Sequence, residues 1–408
     1  MIWIVSWRNV WRNKLRSSVI IVAVCLGVFA GVFTMAFYRG MANQRLKSAI
    51  KTEVSHIQIH APEFMKVNEV DNFIDSADAR LKFIRGQNGV EAASKRLIVN
   101  AIINSAEIGS GVRLFGVVPE NESEVTDIKA RLTEGNYLED IKRGRPILIG
   151  KKLSEKLSIK IGSKLVIGML DLHGQPVYNQ FRVGGIFHTS SNVYDETNVF
   201  IDYYDLLSMA GLPEGSAHEL AVYMGNTEDS FPLAHLLKTR YPYLDISEWN
   251  QILPELGYLT ETMDLYMYIF IIIILLALGF GIVNTMLMVV LERIHELGML
   301  MAVGMNKIRI FRMIMLETVF LSLTGGIIGI ILGIIVSKIY STKGIDLSGL
   351  YGEGLAAIGY DSIIYTVIQL KMIIGVTLLV ILTGILSSVF PALKALRLNP
   401  AEAVRTDV

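Results

Sequence analysis

The stretch that decides the fold runs from Leu265 to Met305. It reads LYMYIFIIIILLALGFGIVNTMLMVVL over residues 265–291 and ERIHELGMLMAVGM over residues 292–305. The first 27 residues carry no charge. An uncharged apolar run beyond about 18 residues is read as a membrane-spanning helix. At 1.5 Å per residue this run reaches roughly 40 Å, longer than a hydrocarbon core of roughly 30 Å, so it tilts or projects as a stalk. Residues 258–264 before it lack Gly and Pro, which leaves the helix free to continue outward. A short charged turn and a second apolar patch follow, which predicts a rigid knob between spans that fits a groove on a partner.

Working outward, three more uncharged runs appear at residues 17–38, 318–337 and 372–393. The whole chain of 408 residues is 52% hydrophobic and 19% charged, with a mean hydropathy of +0.45. Soluble chains carry about 25% charged residues. The composition excludes a disordered chain, a collagen-like chain and a disulfide scaffold, and Cys25 is the single cysteine, so no intrachain disulfide forms. The first run is longer than the core of a cleaved signal peptide and leaves through Arg39-Gly40-Met41 without a small-residue cleavage site, so it reads as an uncleaved anchor.

Charge orients the spans. Residues 1–16, 292–317 and 394–408 together hold eleven basic and five acidic residues, a net +6. Residues 41–264 hold 23 basic and 30 acidic residues, a net −7. Positive-inside bias places the first three segments in the cytoplasm, and four spans give the same alternation. The expected division is a cytoplasmic amphipathic helix at 1–16, transmembrane helices at 17–40, 265–291, 318–337 and 372–393, and an α+β extracytoplasmic domain with stalks at 41–264. A cytoplasmic coupling segment at 292–317, a short external loop at 338–371 and a cytoplasmic tail at 394–408 complete it. In the first segment Trp3, Trp7, Val10, Trp11 and Leu15 share one helical face, with Arg8, Arg12 and Lys14 off it, as in an interfacial helix.

The outer domain alternates as mixed α and β. Strands are expected at 54–60, 97–103, 146–149, 164–169, 180–186 and 220–224, and helices at 76–85, 152–157, 203–209 and 232–240. Ile57 and Ile59 face one side of the first strand, and His56, Gln58 and His60 the other. On a strand His56 and His60 are about 13 Å apart, too far for one metal ion. No phosphate-cradling G-x-x-x-x-G-K-[ST] loop is present, no Ser-His-Asp or Cys-His constellation is visible, and no ionisable residue falls inside a span. An ion-driven carrier is therefore disfavoured. Gly325, Gly329 and Gly333 in the third run, and Gly27 and Gly31 in the first, predict close helix packing.

These residues resemble a known family. E-R-x-x-E-L-G-x-L-x-A-x-G-M at 292–305, Leu316-Glu317 and the glycines at 325, 326, 329 and 333 look like the FtsX-like permease domain, about 265–405, of MacB-type (type VII) ABC transporters. The ending from Phe390-Pro391-Ala392 to Ala403-Val404-Arg405 is similar. Gly116-Val117-Val118-Pro119-Glu120, Gly135-Asn136-Tyr137-Leu138 and Ile147 to Leu153 resemble the MacB-like periplasmic core. Size and order are most similar to the lipoprotein-releasing LolC/LolE-like permeases. The resemblance implies a bacterial inner-membrane protein with its large domain in the periplasm. It implies a separate ABC ATPase dimer that holds ATP and Mg, no cofactor or metal on this chain, and a second permease, identical or paralogous. Implied too are membrane lipids, a lipoprotein or other hydrophobic cargo and, in the releasing branch, a periplasmic carrier or adaptor; nucleic acid is not a partner. Glu292, Arg293, Glu296, Leu297, Gly298, Met299, Ala302 and Gly304 would couple to the ATPase. Phe33, Met35, Tyr38, Tyr266, Met267 and Phe270 would face cargo. The alternatives left open are MacB-like efflux of small molecules or peptides and an FtsX-like signal transducer.

Overall fold

The computed structural model describes residues 2–105, 108–140 and 144–396. It divides into two units. The membrane unit comprises residues 1–42, 261–345 and 364–408; the α/β unit comprises 43–260 and 346–363.

Among the described residues, four helices are long and apolar enough to cross a membrane. The first is Lys14–Ser48, the second Pro254–Glu292, the third Lys307–Lys343 and the fourth Leu370–Leu396. Their packing is written in glycine. A Cβ on Gly325 would lie 2.7 Å from the Ile21 carbonyl oxygen, one on Gly329 2.6 Å from that of Cys25, and one on Gly333 2.8 Å from the Val32 side chain. Positions rise together on both helices, so the first and third run parallel. A Cβ on Gly27 would meet Leu278 and one on Gly31 would meet Ile271, so the second runs antiparallel to the first. Gly326 against Val380 and Gly384 against Ser322 set the fourth antiparallel to the third. The small-residue stripe of the third run thus brings it onto the first helix, Gly325 and Gly329 at backbone distance, while Gly27 and Gly31 of the first run meet side chains of the second.

An N-terminal helix, Ile2–Arg12, lies on the third membrane helix. Trp3 and Trp7 meet Phe320 edge-on at 5.7 and 5.5 Å, Ser6 Oγ donates to the Met313 carbonyl, and Val10 is buried. Trp3, Trp7, Trp11 and Leu15 keep much of their surface exposed. The basic stretch before the third span is continuous with it: Lys307–Lys343 is one helix. The apolar and charged parts share one 3.6 period with no Gly or Pro between Lys307 and Thr324 to break it.

The α/β unit is built on ten strands. They are β1 (Ile57–His60), β2 (Val90–Asn104), β3 (Gly109–Val117), β4 (Leu132–Gly135) and β5 (Pro146–Gly150), followed by β6 (Lys164–Leu170), β7 (Pro176–Phe187), β8 (Asn198–Asp202), β9 (Glu219–Met224) and β10 (Asp245–Glu248). The order is β10-β1-β9-β2-β3-β8-β5-β7-β4, and β6 pairs both β2 and β7. Strands β2, β3, β8, β5, β7 and β6 therefore close a ring, filled by residues such as Leu97, Leu114, Ile147, Ile167, Phe181 and Ile201. The long β2 leaves this ring at its first half to pair β9. Beside it, β1, β9 and β10 share a second core with the helices Ala77–Arg85 and Ser230–Arg240.

Where β2 passes from one core to the other, Arg96 is buried. Its guanidinium donates to Glu122 at 2.7 Å and to Glu219, its cross-strand neighbour, at 2.5 Å. Burial would lower its pKa, but the two carboxylates raise it above the ordinary value. His60 sits 3.6 Å from Glu219, and burial holds its imidazole below the usual range.

Two expectations change here. Residues 54–60 are not one strand: Ala49–Val54 is a π-helix, and only 57–60 pair, so His56 sits beyond the strand and accepts from the Met224 N–H. Residues 338–371 are more than a loop. They contain a helix, Ser348–Ala357, and residues 346–363 are part of the α/β unit, where Gln44 donates to the Ile363 carbonyl. The ending at 397–405 lies outside the described residues.

Candidate coupling site

The second membrane helix ends at Glu292, and Arg293 leaves helical geometry before a short helix, Ile294–Ala302. Glu296 lies in the first turn of that helix, where a carboxylate complements the exposed N–H groups. It accepts from Arg12 Nη2 at 2.7 and 2.9 Å and from Arg293 Nε at 2.9 Å. The Arg12 hydrogen bond, followed by that of Arg293, holds the carboxyl below the ordinary glutamate range. Arg293 in turn donates through Nη1 to the buried Glu317 at 3.2 Å. Four charges thus tie the N-terminal helix, the short helix and the third membrane helix together.

The short helix turns Leu297 and Gly298 inward, both buried. Its other end faces out: Met299 is 57% and Val303 89% exposed, and Ala302 and Gly304 are exposed beside them. Gly304 has φ +96, a left-handed turn that a side chain would strain although the space around it is open. Asn306 then caps the third membrane helix, its Oδ1 accepting from the Ile308 N–H at 3.0 Å. The product is a hairpin with a small apolar tip and a base locked by ion pairs.

The eight expected coupling residues therefore separate. Glu292, Met299, Ala302 and Gly304 are exposed; Leu297 and Gly298 pack inward; Arg293 and Glu296 hold the hairpin to its neighbours. Sequence reading missed Arg12, which is 284 positions from Glu296, and Val303 at the tip. Val303 carried a signal, as the apolar residue before a Gly-Met-Asn turn; Arg12 carried none.

The expected cargo-facing set also separates. Tyr38, Tyr266 and Phe270 are exposed along the first and second membrane helices. Phe33 stacks on Phe29 and meets Tyr340 edge-on. Met35 and Met267 are buried, which corrects their assignment to an open face. Met35 continues the stripe of Val28, Val32 and Ala36, and Met267 that of Met263, Ile271 and Leu275, so helical period points both into the unit. Near them Asp264 pairs with Arg39 at 2.8 Å and with Lys371 at 3.3 Å.

Comparison with known proteins covers both units. A family model described as the FtsX-like permease C-terminal matches residues 268–400. One described as the MacB-like periplasmic core domain matches residues 17–233, over half of the chain. An uncharacterized ABC transporter permease of Methanocaldococcus jannaschii is 27% identical over 305 residues, 72% of this chain and 70% of that protein. The lipoprotein-releasing system transmembrane protein LolC of Xylella fastidiosa is 23% identical over 309 residues, 71% of this chain and 72% of that protein. The macrolide export ATP-binding/permease protein MacB of Vibrio parahaemolyticus is 32% identical over 234 residues, 55% of this chain; the match spans 33% of that longer protein.

Proposed function

We infer a mechanism from one premise: the chain belongs to the FtsX-like ABC transporter permeases that carry a MacB-like periplasmic core domain. On our reading it transmits work from a separate ATPase dimer, which binds ATP and Mg, to the α/β unit. Its cargo is a lipoprotein or another lipid-linked molecule, extracted from the outer leaflet of the bacterial inner membrane. The observation that carries this reading is the even match to LolC, over about seven-tenths of both chains. The two termini and the hairpin at 292–317 lie in the cytoplasm and the α/β unit in the periplasm, as the charge bias requires.

The apolar tip at Met299, Ala302, Val303 and Gly304 enters a groove on the ATPase. The ion pairs at its base keep it from bending, so a push on the tip moves the second and third helices as levers. Two permeases form the complex, with the first and second helices of each facing the other. Tyr38, Tyr266 and Phe270 offer cargo an apolar face there. The membrane runs hold no charge within 17–38, 265–291, 318–337 and 372–393, so a polar cargo crossing them would meet an uncompensated desolvation cost. Lateral entry of a lipid-anchored cargo avoids that cost.

Purification of the full chain from its native membrane, with mass spectrometry of what accompanies it, tests the reading. An ATPase and acylated protein are expected. A small compound or peptide in place of acylated protein would move the assignment to MacB-like efflux, which the 32% identity to MacB favours as the alternative. Recovery of a cell-wall hydrolase or its regulator without any cargo would make the chain a signal transducer.

A further inference from the structure

We propose that the α/β unit contains a second site, a polar cavity that binds a phosphate-bearing group. The cavity has a volume of about 430 Å³ and is walled by the end of the first membrane helix, the π-helix, the turn at 127–131, the end of β9 and the segment around Asp361. That size suits a small polar ligand or headgroup.

Two lysines line it. Lys47 and Lys51 are spaced four apart along one helical stretch and both line the cavity. Like charges at that spacing repel. Among the described residues neither has an ion pair; Lys51 lies 3.8 Å over the Tyr223 ring. Both carboxylates of the lining have partners: Asp361 accepts from Gln44 Nε2 at 3.4 Å. Asp127 accepts from Arg131 at 2.6 Å and from Thr52 at 2.8 Å, so this wall is neutral overall. With Asp127 and Arg131 cancelling, the two lysines face one further carboxylate, Asp361, which leaves a net positive lining suited to a compact anion with several acceptor oxygens. Lysine ammoniums bind phosphate as point charges.

The remaining lining sets a donor. Met224 N–H donates to His56 Nδ1, so in the neutral ring Nε2 carries the proton and donates to Thr227 Oγ1 at 3.2 Å. Burial, with the Lys51 charge adding to it, holds His56 at about 4, so the ring is neutral near pH 7. The Thr227 hydroxyl hydrogen is then free to point into the cavity. Asp361 on the rim supplies an acceptor for an amine or hydroxyl carried by the same ligand.

The backbone around the site is strained. Ala49–Val54 is a π-helix, a form that clusters at functional sites. Ser55 follows with φ 62 and ψ −178, a region essentially reserved for glycine, and its buried Oγ has no hydrogen-bond partner. This corner carries the chain from Lys51, which supplies a charge, to His56, which orients the Thr227 hydroxyl. Two sources could supply the phosphate: a phospholipid headgroup or a soluble phosphate. Lys47 lies in the same helix as the uncharged run, nine residues beyond Tyr38, which brings lipid into consideration.

Titration calorimetry on the full chain in maltoside micelles tests the site, with three probes: dihexanoyl phosphatidylethanolamine, inorganic phosphate and phosphate-free dihexanoylglycerol. Saturable binding of the phospholipid is expected, weakened about tenfold or more in Lys47→Ala/Lys51→Ala and retained in Lys47→Arg/Lys51→Arg. Binding of the phospholipid but not inorganic phosphate identifies a lipid headgroup; binding of both identifies phosphate from either source. Equal binding of dihexanoylglycerol, or no binding of either phosphate probe to the wild-type chain, overturns the proposal. So does unchanged affinity in a double alanine variant with wild-type melting. None of these measurements involves the ATPase, so their failure is separate from failure of the transport reading.

Discussion

The two units bury polarity in opposite ways. The α/β unit takes charges into its interior and pairs them: Arg96 with Glu122 and Glu219. The membrane unit keeps charge at the ends of its apolar runs. One set, Arg12, Glu296, Arg293 and Glu317, lies at the hairpin, and Arg39, Asp264 and Lys371 form another. Between them it packs Gly325 and Gly329 against backbone and Gly333 against the Val32 side chain. A sheet domain can supply two carboxylates around one buried guanidinium. A helix in lipid has already used its backbone groups internally, so close approach and dispersion remain as its main adhesive. The difference teaches where a single change does harm: at an unpaired charge in one unit, at an added methyl group in the other.

The sharpest break of this comparison is Arg96→Met. Removing it leaves Glu122 and Glu219 buried without a counter-charge, and breaking a buried pair from one side costs about 3–5 kcal/mol. The full chain should then show early loss of β signal in thermal circular dichroism, while helix signal from the membrane unit persists. A shift below roughly 1 kcal/mol would mean that water reaches the network.

A second break uses acid. His218 Nδ1 accepts from the Ile98 N–H and Nε2 donates to the Val70 carbonyl, so a second ring proton has no place on Nδ1. Burial, the leading cause, holds this imidazole at about 4, below the ordinary 6.5. The unfolded chain therefore binds the proton first. Stability from His218 is complete above pH 6.5 and is lost as pH falls toward 4, by roughly 3 kcal/mol in all. Melting of the α/β unit should fall across that window, and His218→Gln should flatten the slope. An unchanged slope in the variant would assign the acid sensitivity to other groups.

These two sites mark how far the sequence can be read. Spans are legible because one feature, a long uncharged run, suffices. Strands β5, β6 and β9 are legible from local alternation or apolar runs. Strand β3 was not expected: its sequence GSGVRLFGV carries glycines at 109, 111 and 116 that argue against a strand, yet Gly116 is required because a Cβ there would lie 2.7 Å from Leu206. Its partner β8 was missed with it, since a parallel pair has no hairpin signal between its members. The Glu296 carboxylate had a legible position but an illegible partner. Charge at 296 reads as a surface feature until the fold brings Arg12 beside it.

In the membrane unit the comparison sharpens at Gly329. A leucine there would push its Cβ to within 2.6 Å of the Cys25 carbonyl, and the first and third helices would have to separate. Overpacking of this kind costs typically about 1–3 kcal/mol. Gly281→Leu is the matched control, since nothing lies within 4 Å of its Cβ position. Detergent-induced unfolding of the two variants should differ, with Gly329→Leu the weaker. Equal behaviour would remove the argument that glycine spacing sets this helix pair.

The smallest effect on stability should come at the hairpin, where the largest effect on coupling is expected. The Arg12–Glu296 pair is exposed at 53% and 44% of its side chains, and exposed ion pairs contribute about 0–1 kcal/mol. Glu296→Gln should therefore leave melting almost unchanged. It would loosen the hairpin base, since Arg12 and Arg293 both lose an anionic acceptor. Val303→Asp goes further in separating the two effects. Val303 makes little contact with its own chain, so a charge there meets no folding penalty, but it desolvates wherever an ATPase covers the tip. In reconstituted complexes, Val303→Asp should lower co-purification of the ATPase and its stimulated turnover, with melting of the permease as in the wild type. Glu296→Gln should lower stimulated turnover while the ATPase stays bound. If both variants leave turnover and co-purification intact, the hairpin is a connector between helices and the coupling surface lies elsewhere.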